Sequence, residues 1–308
     1  MVIFTMSPKQ VANLLEQSGY VTDDSLATLV WMAMELDRPL LLEGEAGVGK
    51  TAIALALSTA LQRPLYRLQC HESLDLNQAV YEWNYSKQLL EIRLREVEKG
   101  VGESLRQDLF SEAFLLKRPL MQAITSDKPA VLLIDEIDRA DESFEAYLLE
   151  VLGEYQISVP EFGTVTAVSK PIVVLTSNGT RDLSDALRRR CLYHYVDYPS
   201  LPREIEIVKK LVPEANHVLV QQAVSFVQKL RKQDLEKVPG IAETLDWVRV
   251  LCAMGQDSVP DDPDMIRACL SSLLKTRSDQ WQMGSEIISK LQSESRVGID
   301  VGVAGDLR

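Results

Sequence analysis

Basic charge, histidine, paired cysteine and long apolar runs are all scarce in this chain, and each scarcity removes a class of function. Lys and Arg number 33 against 45 Asp and Glu, a net charge of −12 over 308 residues, so a polyanion is repelled rather than drawn in. No nucleic-acid partner is expected. Cys70, Cys191, Cys252 and Cys269 lie far apart with no Cys-x-x-Cys pair, which argues against a zinc ribbon or a disulfide framework and suits reduced, mostly buried thiols. His71, His194 and His217 show no metal-ligand spacing, and neither Gly-x-Ser-x-Gly nor His-Glu-x-x-His occurs. All three histidines read as structural or surface residues. No stretch approaches the roughly 20 apolar residues of a membrane span, and Val2-Ile3-Phe4 is too short for a signal-peptide core. The expected location is cytoplasmic. Hydrophobic residues make up 46% of the chain, enough for one large core and one smaller one without staples.

Against this background one segment stands out: Gly44-Glu45-Ala46-Gly47-Val48-Gly49-Lys50-Thr51. It reads as a phosphate-binding P-loop. Pro39 to Leu42 reads as a buried strand before it and Ala52 to Leu61 as a helix after it. Three glycines let the backbone cup its N–H groups inward, and the helix turns its positive dipole end on the same spot. Lys50 is placed to reach the β- and γ-phosphates of a nucleotide, and the Thr51 hydroxyl to ligate Mg²⁺.

The remaining pattern alternates strands and helices up to about residue 199. Ser7-Pro8-Lys9-Gln10 opens the first helix with a capping box, and Asp23 to Leu36 reads as a second. Pro64 to Leu68 reads as a short strand, Tyr81 to about Lys99 as a helix, and Phe110 to Leu116 as either a hairpin or a helix start. Pro129 to Glu136 is an unbroken apolar run ending in two acids, the mark of a strand buried on both faces. Asp141 caps a helix through Leu152, Gln156 to Val159 and Thr164 to Val168 read as a hairpin, and Ile172 to Thr176 as a further buried strand. Such alternation implies parallel βαβ units. From Leu201 only helical periodicity continues, through 204–211, 215–232, 241–254 and 265–274. The expected domains are therefore an α/β core over 1–199 with a hairpin near 155–168, a smaller all-helical domain over 200–292, and a flexible tail over 293–308.

Within the core, Asp135 and Glu136 close their strand about 85 residues after the P-loop. Asp135 is placed to hold the Mg²⁺ shell and Glu136 to polarise the attacking water, the bland alternative being a solvated turn. Asn178 ends the next strand at the same sheet edge, either fixing the water or the γ-phosphate or merely opening a turn with Gly179. Arg188-Arg189-Arg190 follows, as an arginine finger or as a solvated basic patch.

Taken together, GEAGVGKT, VLLIDEIDRA, EYQISVPEFGTVTA, VVLTSN and DALRRRCLY resemble a MoxR-type AAA+ ATPase over about residues 8–255. Within that family, RLQCHESLDLNQAVYEWNYSKQLLEIRL and ETLDW are most similar to the subgroup associated with maturation of carbon monoxide dehydrogenase, a molybdenum and copper enzyme. The resemblance implies an AAA+ P-loop core with a helical lid, ATP hydrolysed to ADP, and a homo-oligomeric ring, usually a hexamer. It further implies a von Willebrand factor A domain partner and a remodelling or metal-insertion role, with a molybdenum hydroxylase as candidate client. Lys50 and Thr51 take the Walker A roles, Asp135 and Glu136 the Walker B roles, Asn178 that of sensor 1, and Arg190, or failing it Arg189, that of the finger. One position departs from the family: where the lid helix usually starts with a sensor 2 arginine, Gly240 to Thr244 puts Thr244. Either Arg249 on the same helix substitutes or the lid senses nucleotide weakly. Two further function classes stand beside the motor: a nucleotide-switched assembly scaffold with little hydrolysis, and a nucleic-acid-stimulated ATPase, which the acidic balance disfavours.

Overall fold

Apolar runs that can be buried on both faces set the centre of the architecture. In the computed structural model, which describes residues 6–98, 109–160 and 162–297, strands β1 (Leu40–Glu43) and β2 (Leu65–Gln69) flank the helix Lys50–Leu61. Two short strands, β3 (Tyr81–Trp83) and β4 (Leu115–Lys117), precede β5 (Val131–Asp135), every residue of which is buried. A hairpin of β6 (Gln156–Val159) and β7 (Gly163–Thr166) leads to β8 (Ile172–Ser177) and then β9 (Leu192–Tyr195). Five of these form one all-parallel sheet in the order β2-β5-β8-β1-β9. β5 and β8, the two apolar runs, lie inside it, while β9, with alternating burial, forms an edge. β9 is absent from the strands expected above, because four residues of Leu-Tyr-His-Tyr carry no unbroken apolar run.

Tertiary pairing overrides helical periodicity at one further place. The helix expected from Tyr81 begins only at Tyr85 and runs to Glu98, since Tyr81–Trp83 pairs antiparallel with Leu115–Lys117. Trp83 packs edge-on to Phe110 at 5.1 Å, and the Asn84 side chain caps the helix by accepting from the Lys87 N–H at 3.0 Å. The ambiguous 110–116 stretch resolves into a 3₁₀ turn, Glu112–Phe114, followed by β4.

The chain divides into two compact units. The first runs to Tyr195 without Gly19–Val21 and Glu45–Gly49; the second holds those two segments and continues from Val196. Inside the second, the helices Leu201–Leu211, His217–Leu230 and Ile241–Ala253 pack around Phe226 and Trp247, whose rings lie 5.0 Å apart. The expected helix over 265–274 is shorter, Pro263–Cys269, and gives way to a 3₁₀ turn at Leu270–Ser272. Two helices not expected follow, Arg277–Gln282 and Ser285–Val297. Residues 293–297 of the expected tail are thus helical, and 298–308 lie outside the described residues.

A buried ionic network ties this helical unit together. Glu204 is fully buried and accepts from both terminal nitrogens of Arg231, Nη1 and Nη2, at 2.6 and 2.7 Å, besides the Gln228 amide at 2.6 Å and the Thr244 hydroxyl at 2.9 Å. Removing one partner leaves an uncompensated buried charge. Arg231→Met is therefore expected to destabilise this unit by about 3–5 kcal/mol, read as a lower urea midpoint for its transition.

Candidate functional site

Lys50 opens its helix and is almost wholly buried, which a lysine tolerates only with its ammonium satisfied. Its Nζ donates to the Gly44 carbonyl at 2.6 Å and to Asn178 Oδ1 at 2.9 Å. Asn178 lies just past the end of β8 and Gly44 just past the end of β1, strands that pair in register. Parallel pairing thus brings two groups far apart in the chain onto one ammonium.

At the next position of the same helix, Thr51 Oγ1 donates to Asp135 Oδ1 at 3.0 Å. That oxygen also accepts from Thr176 Oγ1 at 2.5 Å, and Thr176 in turn accepts the Glu136 N–H at 2.9 Å. The other carboxylate oxygen, Oδ2, takes Arg67 Nη2 at 2.5 Å. Thr51 and Asp135 are hard oxygen donors side by side, the kind of set Mg²⁺ takes. Glu136 adopts left-handed backbone geometry, φ 55° and ψ 51°, which a non-glycine residue holds only when its surroundings impose it. Its Oε2 accepts from Arg139 Nη1 at 3.0 Å.

Behind these acids lie residues that motif reading did not single out. Asp138 Oδ2 gathers the Asn178 N–H at 3.2 Å, the Thr180 N–H at 3.0 Å and the Thr180 hydroxyl at 2.6 Å. Burial raises its pKa, but these hydrogen bonds outweigh burial and hold the carboxyl below its ordinary value. Glu145, buried, fixes the following loop through Arg181 and the Ser184 N–H. Asp138 could have been noticed in the Asp-Glu-Ile-Asp run, whereas Glu145 sits mid-helix with no local signal. Beneath the site, burial first, and then the charges of Asp135, Asp138 and Glu136, push the Cys70 thiol up to about 12, so it stays protonated and inert. Glu72, Glu136, Asp138, Arg139, Asn178 and Arg181 line an open cleft of about 740 Å³.

The loop residues Glu45–Gly49 belong with the helical unit. Gly47 and Gly49 have φ of +79° and +98°, open to glycine at little cost. The Gly47 carbonyl accepts the Ile241 N–H at 2.9 Å, and a Cβ on Gly240 would lie 2.7 Å from Gly47 Cα. Glu45 and Ala46 are exposed while Val48 is buried. On the helix that Ile241 begins, Thr244 is buried, with its hydroxyl given to Glu204 and the Gly240 carbonyl. Arg249 is half exposed and pairs with Asp246 at 3.4 Å.

The three arginines diverge. Arg188 pairs with Glu43 at 3.3 Å beside the P-loop strand. Arg189 and Arg190 are exposed, and the Arg190 guanidinium lies over Gly153 on the last turn of the helix Glu142–Glu154. Among the described residues neither forms an ion pair with Asp135 or Glu136. Arg38, unforeseen from sequence, donates to the carbonyls of Arg189, Arg190 and Cys191, closing the helix Asp185–Arg190 that carries the triplet.

Residues 39–191 match the model of the AAA domain of the dynein-related subfamily. That stretch carries an AAA domain, and the protein is an ATPase. Among curated proteins the ATPase is similar to an uncharacterised protein of Staphylococcus saprophyticus, 24% identical over 249 residues, 77% of this chain and 84% of that one. It is also similar to the gas vesicle ATPase GvpN2 of Halobacterium salinarum, 25% identical over 279 residues, 86% of this chain and 78% of that one. The solved structure of the RuvB Holliday junction branch migration motor of Thermotoga maritima is 18% identical at a TM-score of 0.43, covering 84% of this chain and 68% of that one.

Two outcomes are expected for this ATPase. Thr176→Val removes the hydroxyl that joins Asp135 to the Glu136 N–H. It should cost about 1–3 kcal/mol in urea unfolding and lower ATP turnover roughly ten- to hundredfold. Because the folded pKa of Asp138 is depressed, the stability it contributes is present above its unfolded pKa of about 3.9 and is lost as pH falls through the lower folded value. Asp138→Asn should therefore melt below wild type at pH 7, with the gap narrowing on acidification below about pH 4.

Proposed function

We propose that this AAA+ ATPase is a MoxR-type ring motor that uses hydrolysis to remodel a client protein or to assist metal-cofactor insertion. The observation that carries the hydrolytic part is the continuous chain Thr51, Asp135, Thr176, Glu136, with Lys50 on Asn178 beside it. Gly44 to Gly49 wrap the phosphates, Lys50 neutralises charge on the β- and γ-phosphates, and Asn178 positions the γ-phosphate or the water. Thr51 and Asp135 hold Mg²⁺, which when bound neutralises charge developing on the phosphates. Glu136, set on its left-handed turn, accepts the proton of the attacking water. Arg190, with Arg189 as the second choice, serves a neighbouring subunit in a homo-oligomeric ring, a hexamer by family resemblance. Its exposed position on a surface helix suits that use.

A protein client is favoured over nucleic acid by the net charge of −12 and by exposed apolar side chains. Tyr85, Leu89, Leu90 and Leu94 all stand out from the helix Tyr85–Glu98, a pattern that marks protein contact surfaces. Family resemblance adds a von Willebrand factor A protein as partner and a molybdenum hydroxylase as client, in the cytoplasm. No described helix is long and apolar enough to cross a membrane. Thr244 does not stand in for a sensor 2 arginine, since its hydroxyl is spent inside its own unit on Glu204 and the Gly240 carbonyl.

A second reading, a nucleotide-switched scaffold with little turnover, draws on the Glu136 to Arg139 pair, which ties up the proposed base. Steady-state phosphate release separates the two. Glu136→Gln should keep ATP binding and lose turnover by about 10²–10⁴-fold; undiminished release would remove Glu136 from the base role. Captured with ATP, the same variant should retain a von Willebrand factor A protein or the client. Arg190→Ala should bind ATP as an isolated subunit but lose activity in the assembled ring, and full activity there would refute the finger.

A further inference from the structure

Strand pairing places a cation where the metal-binding acid is. Gln69 is the register partner of Asp135, and Arg67, two residues back, shares the sheet face of Gln69. From there Arg67 Nη2 reaches both Asp135 Oδ2 at 2.5 Å and Gln69 Oε1 at 2.8 Å. The two ends of the pair are unlike: the Asp135 side chain is 5% exposed and that of Arg67 54%. Asp135 stays where it is, and the guanidinium leaves at little desolvation cost.

We propose that Arg67 competes with Mg²⁺ for the Asp135 carboxylate and thereby sets how much Mg²⁺ the protein needs to hold nucleotide. The inference rests on the reading of Asp135 as the Mg²⁺-binding acid. Two opposing effects are in play. Arg67 could orient the carboxylate for the metal, or its charge could oppose a second cation at the same group. Orientation is already supplied by the Thr51 and Thr176 hydroxyls on Oδ1, so the repulsion between guanidinium and metal decides the sign. Gln69 holds the guanidinium when it swings off, which makes the exchange a short movement along one strand.

The test is a Mg²⁺ titration of binding of a fluorescent, non-hydrolysable ATP analogue to the full chain, with folding checked by circular dichroism. Arg67→Gln should move the Mg²⁺ midpoint about three- to tenfold lower, while Arg67→Lys, which keeps the charge, stays near wild type. Gln69→Glu, an exposed change, draws the guanidinium off Asp135 and should shift the midpoint the same way, so the inference remains testable if Arg67→Gln misfolds. A midpoint that is unchanged or higher in folded Arg67→Gln, or in Gln69→Glu, overturns it. Asp135→Asn separates the two levels: if that variant responds to Mg²⁺ as wild type does, it is the reading of Asp135 that fails.

Discussion

The carboxylate of Asp135 is the group on which the arrangement of the α/β unit depends. It is buried at the end of a strand covered on both faces, and such a charge persists only where hydrogen bonds replace water. Thr51, Thr176 and Arg67 supply them from a helix and two neighbouring strands. Satisfying one acid therefore fixes the P-loop helix, β2 and β8 relative to β5, and places Glu136 and Asn178 as a consequence. Glu136 has a left-handed backbone, and its N–H is held by the Thr176 hydroxyl on the adjacent strand.

The helical unit solves the same problem separately. Glu204 is as buried as Asp135, and Arg231, Gln228 and Thr244 close around it from helices of that unit. Buried ionic networks of this kind add less to stability than their contacts suggest, but their removal by halves is costly. The two units differ in what their buried acids face: Asp135 adjoins the start of the helix that follows the glycine-rich loop, Glu204 only its own helices. In the helical unit the Thr244 hydroxyl is spent on that carboxylate and on the Gly240 carbonyl.

Much of this was legible in the residues, and the reasons are physical. Val131 to Ile134 and Ile172 to Leu175 announce themselves because both faces of these strands are buried, so polar residues enter only at their ends. Ser7 to Gln10 shows its helix start because a capping box is a local device. Tyr81–Trp83 and Leu192–Tyr195 were not legible as strands. Each is short and carries polar residues, and each owes its extended form to a partner distant in the chain, Leu115–Lys117 for the first and β1 for the second. Arg38, Arg67 and Glu145 were equally silent, since a lone charged residue in an element has no pattern until its partner is known.

By itself, then, the order of residues determined the P-loop, the acid strand, the α/β alternation and the helical character of the remainder, all properties of backbone freedom and periodicity within a few residues. Only the tertiary structure decided which charges meet. It put Arg67 on Asp135, Arg139 on Glu136 and Arg188 on Glu43, and left Arg189 and Arg190 facing outward. Electrostatic pairing depends on distances between strands and turns far apart in the chain, and those distances exist only once the sheet has closed.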